Sequence, residues 1–323
     1  MNTNNLIENI FNINADNQQQ IIEQVFSFQF NNNPIFNQWC NSINYTNQNS
    51  NYAFLPISFF KTHSIKTTSF IEQLTFESSG TTQTINSKHN LKDIEIYKRS
   101  FTNIFNETYG NIKNWCILGL LPNYLERNNS SLVFMVNDLI KQSNHPESGF
   151  YLHNYKELFT TLTKLETAKQ PTILIGVTFA LLEFAEQFKM KLQHTHVIET
   201  GGMKGRKKEV TKNEVHTILK NNLGVKNIHS EYGMTELLSQ AYATENEKHI
   251  CPPWMKVYVR SEDDPLDIKK IGKGVINIID LANIYSCSFI ATDDVGEVFE
   301  DGSFKIFGRL DNSDLRGCSL LYL

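Results

Sequence analysis

The sequence has little of what marks several large classes of protein. It has no excess of positive charge, since 30 Lys and Arg stand against 34 Asp and Glu, a formal net charge of −4. Binding a nucleic-acid backbone needs a basic face, so we expect no nucleic-acid partner. The five cysteines are odd in number and widely scattered. Such usage predicts neither a disulfide framework nor a zinc site.

Long apolar runs are also missing. The longest mainly apolar stretch, Thr172 to Phe184, is too short to cross a bilayer and contains Glu183. The sequence begins without a basic segment ahead of an apolar one, so we predict no secretory signal. Together these absences predict a cytoplasmic protein with no integral membrane segment.

What is present suits a folded enzyme-sized protein. Hydrophobic residues make up 40% and charged residues 20% of the 323 positions, which is typical of a globular chain of about two domains or one large one. Short apolar runs alternate with helical patterns, which predicts an α/β fold with a largely parallel sheet. The predicted strands are 70–76, 115–121, 172–175, 195–198 and 226–229. The predicted helices are 91–105, 132–141, 156–168, 178–189 and 212–221.

The chain divides by character into three segments. Residues 1–50 are rich in Asn and Gln, but apolar residues such as Leu6 and Ile10 are spaced for amphipathic helices. Residues 51–250 carry the α/β pattern. Residues 251–323 predict a β-rich subdomain, with strands at 256–260, 274–280, 287–291, 296–300 and 304–307.

The first candidate site is a loop of small polar residues directly after a predicted strand. It consists of Ser78, Ser79, Gly80, Thr81 and Thr82. Its backbone N–H groups and hydroxyls suit phosphate oxygens, and Gly80 allows a close approach. The same residue types also make ordinary loops, and no Gly-Lys-Ser/Thr follows as in a Walker loop.

The second candidate is the segment 229–236, at the carboxyl end of another predicted strand. Ligands of open α/β sheets bind at that edge. Glu236 offers a carboxylate to Mg²⁺, Thr235 a hydroxyl to phosphate, and Tyr232 an aromatic face to a base. The alternative is a helix N-terminus, with Thr235 as the N-cap and Glu236 stabilised by the helix dipole.

Two more candidates follow towards the C-terminal end. In the segment 291–296, Asp294 could accept hydrogen bonds from a ribose diol, although a turn with consecutive aspartates explains the same residues. In the segment 308–318, Arg309 suits phosphate or ribose, although a solvated polar tail explains it equally well.

The order and spacing of these four motifs resemble the adenylate-forming superfamily, which includes the acyl- and aryl-CoA ligases. Within it, three segments are similar to those of the LuxE-type acyl-protein synthetases: 55–61, 199–206 and 316–320. The similarity runs from about Tyr52 to the C-terminus. It implies the α/β fold of the N-terminal domain of these enzymes, with the mobile C-terminal ligase domain absent.

The resemblance also implies a reaction in two steps. A carboxylic acid, expected to be a long-chain fatty acid, attacks the α-phosphate of ATP in the presence of Mg²⁺ to give an acyl-adenylate. The acyl group then passes to a cysteine of the enzyme as a thioester. An acyl reductase partner is expected to receive it.

Residue roles follow from the resemblance by position. The implied ATP-binding residues are Ser78, Ser79, Gly80, Thr81, Thr82, Gly201, Gly202, Tyr232, Gly233, Asp294 and Arg309. Thr235 would contact the α-phosphate and Glu236 would bind Mg²⁺. Lys204 and Arg206 are candidate cations for the charged transition state, although both equally suit a solvated basic face.

Cys318 is the implied acyl acceptor. Only a thiolate attacks well, and Cys318 lies in a polar segment close to Arg316. Cys116 and Cys287 fall in apolar strands, which predicts inert core residues. Cys40 and Cys251 have no evident activating group in the sequence.

Departures from the superfamily pattern leave alternatives open. The phosphate loop continues with Gln83 in place of the usual glycine, and Asp293 also stands where a glycine is usual. These changes allow a catalytically degenerate scaffold subunit of a reductase complex. A CoA ligase-like enzyme is a second alternative. A hydrolase is a third, prompted by the segment 176–180, where Thr178 as a helix N-cap is the simpler interpretation.

Overall fold

The structure is a computed structural model that describes residues 3–45, 52–78, 85–121, 129–202, 211–264 and 266–310. Its helices are α1 (Thr3–Phe11), α2 (Gln18–Asn32), α3 (Pro34–Ser42), α4 (Phe59–Thr62), α5 (Ile94–Tyr109), α6 (Ser131–Ser143), α7 (Tyr155–Thr167), α8 (Thr178–Gln187) and α9 (Lys212–Leu223). Among the described residues, no helix has both the length and the apolar character that crossing a membrane requires.

The strands follow the same chain order. They are β1 (Leu55–Pro56), β2 (Leu74–Glu77), β3 (Lys88–Leu91), β4 (Cys116–Leu120), β5 (Gly149–Phe150), β6 (Thr172–Gly176), β7 (Thr195–Glu199), β8 (Ile228–Tyr232), β9 (Ala241–Ala243), β10 (Met255–Arg260), β11 (Ile268–Lys269), β12 (Gly272–Asp280), β13 (Phe289–Val298) and β14 (Phe304–Arg309). Short 3₁₀ turns lie at Ile112–Asn114 and Leu281–Asn283.

The described residues form two compact units. The first unit takes its residues from Met1–Ser69 and Pro253–Leu323, and the second is Phe70–Pro252. Residues 1–50 and 251–323, which differ in sequence character, therefore contribute to one unit.

The second unit contains the parallel sheet that the sequence predicts. Its strand order is β5-β4-β6-β7-β8-β9, parallel from β5 to β8, with β9 antiparallel to β8. Every residue of β4 and β6 is buried. Strands covered on both faces are continuously apolar, which is why the sequence pattern locates them well.

A two-stranded hairpin, β2–β3, precedes this sheet in the chain. Glu77 pairs with Lys88, and Leu74 pairs with Leu91. The predicted strand 70–76 begins too early, and the predicted helix 91–105 also begins too early, because Leu91 ends β3. Asp93 caps α5 by accepting the backbone N–H of Glu95, so the helix begins only at Ile94.

The strand-to-helix turn after β6 corrects a second prediction. Val177 occupies the cap position of α8, and Thr178 is its first helical residue. Thr178 is therefore not the N-cap. Its buried hydroxyl instead donates to Glu199 Oε2 at 3.0 Å, so it is not presented as the exposed nucleophile of a hydrolase elbow.

The first unit is built on a mixed sheet of order β1-β13-β12-β10-β11, with β14 also paired to β13. Only the β1–β13 pair of this sheet is parallel among the described residues. The predicted strands 287–291 and 296–300 are one strand, β13, so the alternative of an aspartate turn at 291–296 is wrong. Thr292 and Asp294 are buried and Asp293 is exposed, as period-two alternation requires.

Helices α2 and α3 cover the core of this sheet. Phe26 meets the ring of Phe289 edge-on at 5.0 Å, and Phe36 stacks on the same ring at 5.9 Å. Between them Gln29 is fully buried. Its amide donates to the carbonyl oxygens of Asn283 and Ile284, both at 3.0 Å, and its Oε1 accepts the N–H of Ser288 at 2.8 Å. The amphipathic pattern of residues 1–50 thus reflects packing against the end of the chain.

Candidate active site

The carboxyl ends of the central parallel strands bring two predicted motifs together. Glu199 at the end of β7 pairs with Ser230 of β8, so the Gly201–Gly202 turn and the Tyr232–Gly233 pair emerge side by side. The N–H of Thr178 donates to the carbonyl oxygen of Gly201 at 2.9 Å. This is the sheet edge at which open α/β folds bind ligands.

The Gly201–Gly202 turn needs glycine at both positions. Their φ angles are +74° and +92°, in the region that residues with a side chain rarely adopt. Among the described residues, no heavy atom beyond its chain neighbours lies within 4 Å of the place where a Cβ would stand on Gly201. The backbone is therefore open to close approach by a flat ligand such as a base.

A buried carboxylate lies beneath this turn. Glu199 Oε2 accepts the N–H of Gly201 at 2.9 Å, and Oε1 accepts the hydroxyl of Ser230 at 2.7 Å. Lys212 Nζ is 3.6 Å and His216 Nε2 is 3.7 Å from Oε1. Burial raises the pKa of Glu199, but the proximity of His216, then Lys212, Ser230 and the Gly201 N–H, outweighs burial and holds that pKa well below its usual range. No role was predicted for Glu199 from the sequence.

The segment after β8 is a turn. Thr235 and Glu236 begin no helix, and the N–H of Leu237 donates to the carbonyl oxygen of Met234 at 3.1 Å. The alternative of a helix N-terminus at this point is therefore wrong. Tyr232 is 9% exposed and meets His249 edge-on at 5.8 Å, so it has only a small area to offer a base.

A hydrogen bond connects the β2–β3 hairpin, which carries the predicted phosphate loop, to this turn. His89 Nδ1 of β3 donates to the carbonyl oxygen of Thr235 at 2.8 Å. At the base of the loop, the N–H of Ser78 donates to the carbonyl oxygen of Ser87 at 3.1 Å, and the N–H of Ser87 donates to Ser78 Oγ at 2.9 Å. The β2–β3 hairpin therefore places the base of the loop beside the Thr235 turn.

Several predicted residues lie outside the described part of the chain. They are Ser79, Gly80, Thr81, Thr82, Gln83, Lys204, Arg206 and Cys318.

The predicted magnesium ligand is a single carboxylate. Glu236 is buried, and within the described ranges no group of three or more His, Cys, Asp or Glu is placed to hold a metal ion. Mg²⁺ usually keeps several waters and combines one or two carboxylates with substrate phosphates. A single carboxylate fits that mode of binding.

Asp294 and Arg309 belong to the first unit. They face each other across β13 and β14, and Arg309 Nε donates to Asp294 Oδ1 at 2.8 Å. The Asp294 side chain is 6% exposed and that of Arg309 is 68% exposed. The pair thus joins a buried carboxylate to a solvent-facing cation.

Arg260 was not singled out in the sequence, although it supports the same strand. Its guanidinium donates to the carbonyl oxygen of Thr292 at 2.6 Å and to Asn277 Oδ1 at 2.7 Å. Burial lowers the pKa of Arg260, and the negative charge of Asp293 opposes that effect. Arg260 is therefore a cation close to Asp293, the aspartate that stands where a glycine is usual. No local sequence motif indicates this proximity.

The described cysteines are free thiols, and three of them are buried. Burial raises the pKa of Cys40 to about 12 and that of Cys116 to about 11, and it raises the pKa of Cys287 further. Cys251 is partly exposed. Thiolates are scarce at neutral pH in the three buried groups.

Comparison with protein families gives one match that covers almost the whole chain. A model described as acyl-protein synthetase, LuxE, matches residues 6–322. Comparison with curated proteins found no match.

Solved structures share the fold. ATP-bound MatB from Rhodopseudomonas palustris has a TM-score of 0.53 at 14% identity, covering 73% of this chain and 47% of that chain. An ATP-bound RpMatB-BxBclM chimera gives 0.54 at 15% identity with the same coverage. A luciferase-like enzyme from the Zophobas morio mealworm gives 0.50 at 14% identity, covering 76% of this chain and 60% of that chain. The chain spans about half the length of the first two, and the predicted α/β fold of the adenylate-forming enzymes is confirmed.

Proposed function

Because the chain belongs to the LuxE family of acyl-protein synthetases, we propose that it activates a carboxylic acid with ATP and then carries the acyl group on a cysteine. Membership of this family, with the adenylate-forming fold, supports acyl activation by adenylation. We also propose that the substrate is a long-chain fatty acid and that an acyl reductase receives the acyl group.

The observation that carries the proposal is that two motifs lie side by side at one edge of the parallel sheet. The Gly201–Gly202 turn lies beside the end of β8, and His89 of the β2–β3 hairpin donates to the carbonyl oxygen of Thr235, which follows β8. A nucleotide needs such a combination, because its base, its phosphates and their counter-charges must be bound together.

Roles in the first step are assigned on that basis. Gly201 and Gly202 would receive the adenine, and Tyr232 with Gly233 would border it. Ser78 and the loop that follows, Ser79 to Thr82, would donate to the phosphates. Thr235 would contact the α-phosphate. ATP supplies the phosphoryl group that turns a carboxylate into an electrophile, and Glu236 would hold the Mg²⁺ that neutralises its phosphates.

Further roles are proposed for residues of the other motifs, by position in the family. Asp294 would accept hydrogen bonds from the ribose hydroxyls, and Arg309 would pair with ribose or phosphate oxygens. Lys204 and Arg206 are proposed as cations for the charge that develops during attack by the carboxylate.

The second step is a transfer from oxygen to sulfur. We assign the nucleophile to Cys318, whose thiolate would attack the acyl carbon while AMP leaves with the bonding electron pair. Cys40, Cys116 and Cys287 are poor candidates, because each is buried with a raised pKa. Cys251 is the remaining competitor, which makes it the matched control.

Two measurements test the proposal. Acid-dependent exchange of pyrophosphate into ATP, screened over acids of increasing chain length, tests activation. A radiolabelled acid retained on the protein and released by hydroxylamine tests the thioester. We expect Cys318→Ala to lose the label but keep the exchange, and Cys251→Ala to keep both. Retention of the label by Cys318→Ala would exclude Cys318 as the acceptor.

Failure of activation would favour a different function. If the natural chain shows neither ATP binding nor exchange with any acid, the fold serves as a scaffold subunit. The departures at Gln83 and Asp293 would then explain the loss of chemistry.

A further inference from the structure

We propose that Glu199 is the positioning residue of the nucleotide site: its carboxylate holds the Gly201–Gly202 turn in the conformation that receives the base. The inference rests on the proposed function, because it assigns Glu199 to the same ATP site. Glu199 itself lies beneath the turn and would touch no part of the nucleotide.

The contacts of Glu199 come from every element around the turn. Oε2 accepts the N–H of Gly201 and the hydroxyl of Thr178, at the start of α8. Oε1 accepts the hydroxyl of Ser230 on the neighbouring strand. On the side of α9, Lys212 stands 3.6 Å from the same oxygen. One side chain therefore ties the turn to two helices and a strand.

Among the described residues the turn is also restrained by the N–H of Thr178, which donates to the carbonyl oxygen of Gly201, and by Val177, which lies 3.6 Å from the Cβ position of Gly202. Both glycines adopt positive φ angles, and no side chain packs around the Cβ position of Gly201. Glycine has the widest choice of backbone conformations. Glu199 is the group that accepts the N–H of Gly201. Without this carboxylate, a turn of two glycines would sample more conformations, and the cost of ordering it again would weaken ligand binding.

The charge of Glu199 is essential to this arrangement. Hydrogen bonds to an ionised acceptor are shorter and stronger than those to a neutral one. Glutamine keeps the shape of the side chain but removes its charge. Its NH₂ group would be a hydrogen-bond donor where Glu199 presents an acceptor to Lys212 and His216. Glu199→Gln is thus a nearly isosteric change that selectively loosens the turn.

Glu247 offers a matched control. Its Oε1 lies 3.7 Å from His216 Nδ1, so it stands on the other side of the same imidazole. Glu247→Gln removes an equal charge from the neighbourhood and leaves the turn unchanged.

The experiment measures ATP affinity by calorimetry in the presence of Mg²⁺ and the absence of acid. We expect Glu199→Gln to raise the Kd for ATP about tenfold or more, with Glu247→Gln within about twofold of the natural chain. In the exchange assay the KM for ATP should rise while the KM for the acid stays constant. A folded Glu199→Gln variant with unchanged ATP affinity would overturn the inference.

Hydrogen exchange of the free protein separates this inference from the proposed function. We expect the Gly201 amide to exchange faster in Glu199→Gln than in the natural chain, without any nucleotide. Unchanged exchange overturns the inference. If the Gly201 amide exchanges faster in the variant but the natural chain binds no ATP, Glu199 still positions the turn and the proposed function is wrong. Should Glu199→Gln fold poorly, Ser230→Ala removes one donor and retains the charge, and a smaller shift in the same direction is expected.

Discussion

Two carboxylates on adjacent strands, the buried Glu199 and the partly buried Glu231, have pKa values shifted in opposite directions. Glu199 shares a face of the sheet with Ser230, its hydrogen-bonding partner, so Glu231, the next residue of β8, points to the opposite face. Cations and donors surround Glu199. Glu231 lies against the backbone of Gly233, and burial, with the negative charge of Glu199, raises its pKa to about 8.

This difference predicts a pH-dependent stability. Between the ordinary carboxylate pKa and about 8, folded Glu231 keeps a proton that the unfolded chain releases. The Glu231 contribution to stability therefore falls as pH rises through that window. We expect Glu231→Gln to be more stable than the natural chain at pH 9, by about 1–3 kcal/mol, and equally stable near pH 5.

Denaturant unfolding at several pH values checks this expectation. The difference between the two proteins is the relevant quantity, because other titrating groups are common to both. A difference that is constant from pH 5 to pH 9 would contradict the raised pKa of Glu231.

Individual residues could be predicted from the sequence where a short motif indicates their chemistry. Glu236 and Asp294 were singled out because carboxylates follow predicted strands, and their roles remain predictions. Glu199 was not singled out, because its contact with Ser230 lies 31 positions along the chain. His89 was missed as the link to Thr235 for the same reason, at a separation of 146 residues.

Elements were predictable where burial produces a strong pattern. The fully buried strands β4 and β6 were located almost to the residue. The hairpin strand β3 was not, because its polar sequence Lys-His-Asn resembles a loop and only pairing with β2 makes it a strand. The aspartates of β13 likewise suggested a turn, whereas the strand stays extended because Asp294 pairs with Arg309 of β14 and the residues on either side of the aspartates pair with β12.

The β13–β14 pair predicts a contrast between two glycines. A Cβ on Gly296 would stand 2.2 Å from the carbonyl oxygen of Lys305 on β14, whereas one on Gly308 would meet no other described heavy atom within 4 Å. We expect Gly296→Ala to lower the free energy of unfolding by about 1–3 kcal/mol. Gly308→Ala should stay within about 0.5 kcal/mol of the natural chain.

Thermal or urea unfolding of the two variants provides the measurement. The control shares the pair of strands, the residue type and the size of the change, so only the clash with the Lys305 carbonyl differs. Equal stabilities would show that β14 is not held in this register.

At the scale of the molecule, both ends of the described chain build one unit. Gln29 reaches the carbonyl oxygen of Asn283 across 254 positions. The sequence predicted helices within residues 1–50 but not their place, since amphipathic spacing identifies a buried face and not the surface that covers it.

That long-range contact predicts a stability effect. Gln29→Ala would leave buried backbone groups at Asn283, Ile284 and Ser288 without their present partner. We expect a loss of about 2–4 kcal/mol and faster hydrogen exchange at Ser288. Asn31→Ala, on the exposed side of the same helix, is the control and should change neither quantity. Unchanged exchange at Ser288 in Gln29→Ala would contradict the contact.

The discontinuous unit also sets an order of assembly during synthesis. Ribosomes deliver α2 and α3 first, residues 70–252 next, and β10 to β14 afterwards. The parallel sheet has all its strands while the earlier helices still lack the surface that covers Phe26 and Phe36. Apolar helix faces that stay exposed until the strands that cover them have been synthesised are prone to aggregate. We therefore expect α2 and α3 of the nascent chain to need protection from aggregation until β10 to β14 have emerged from the ribosome.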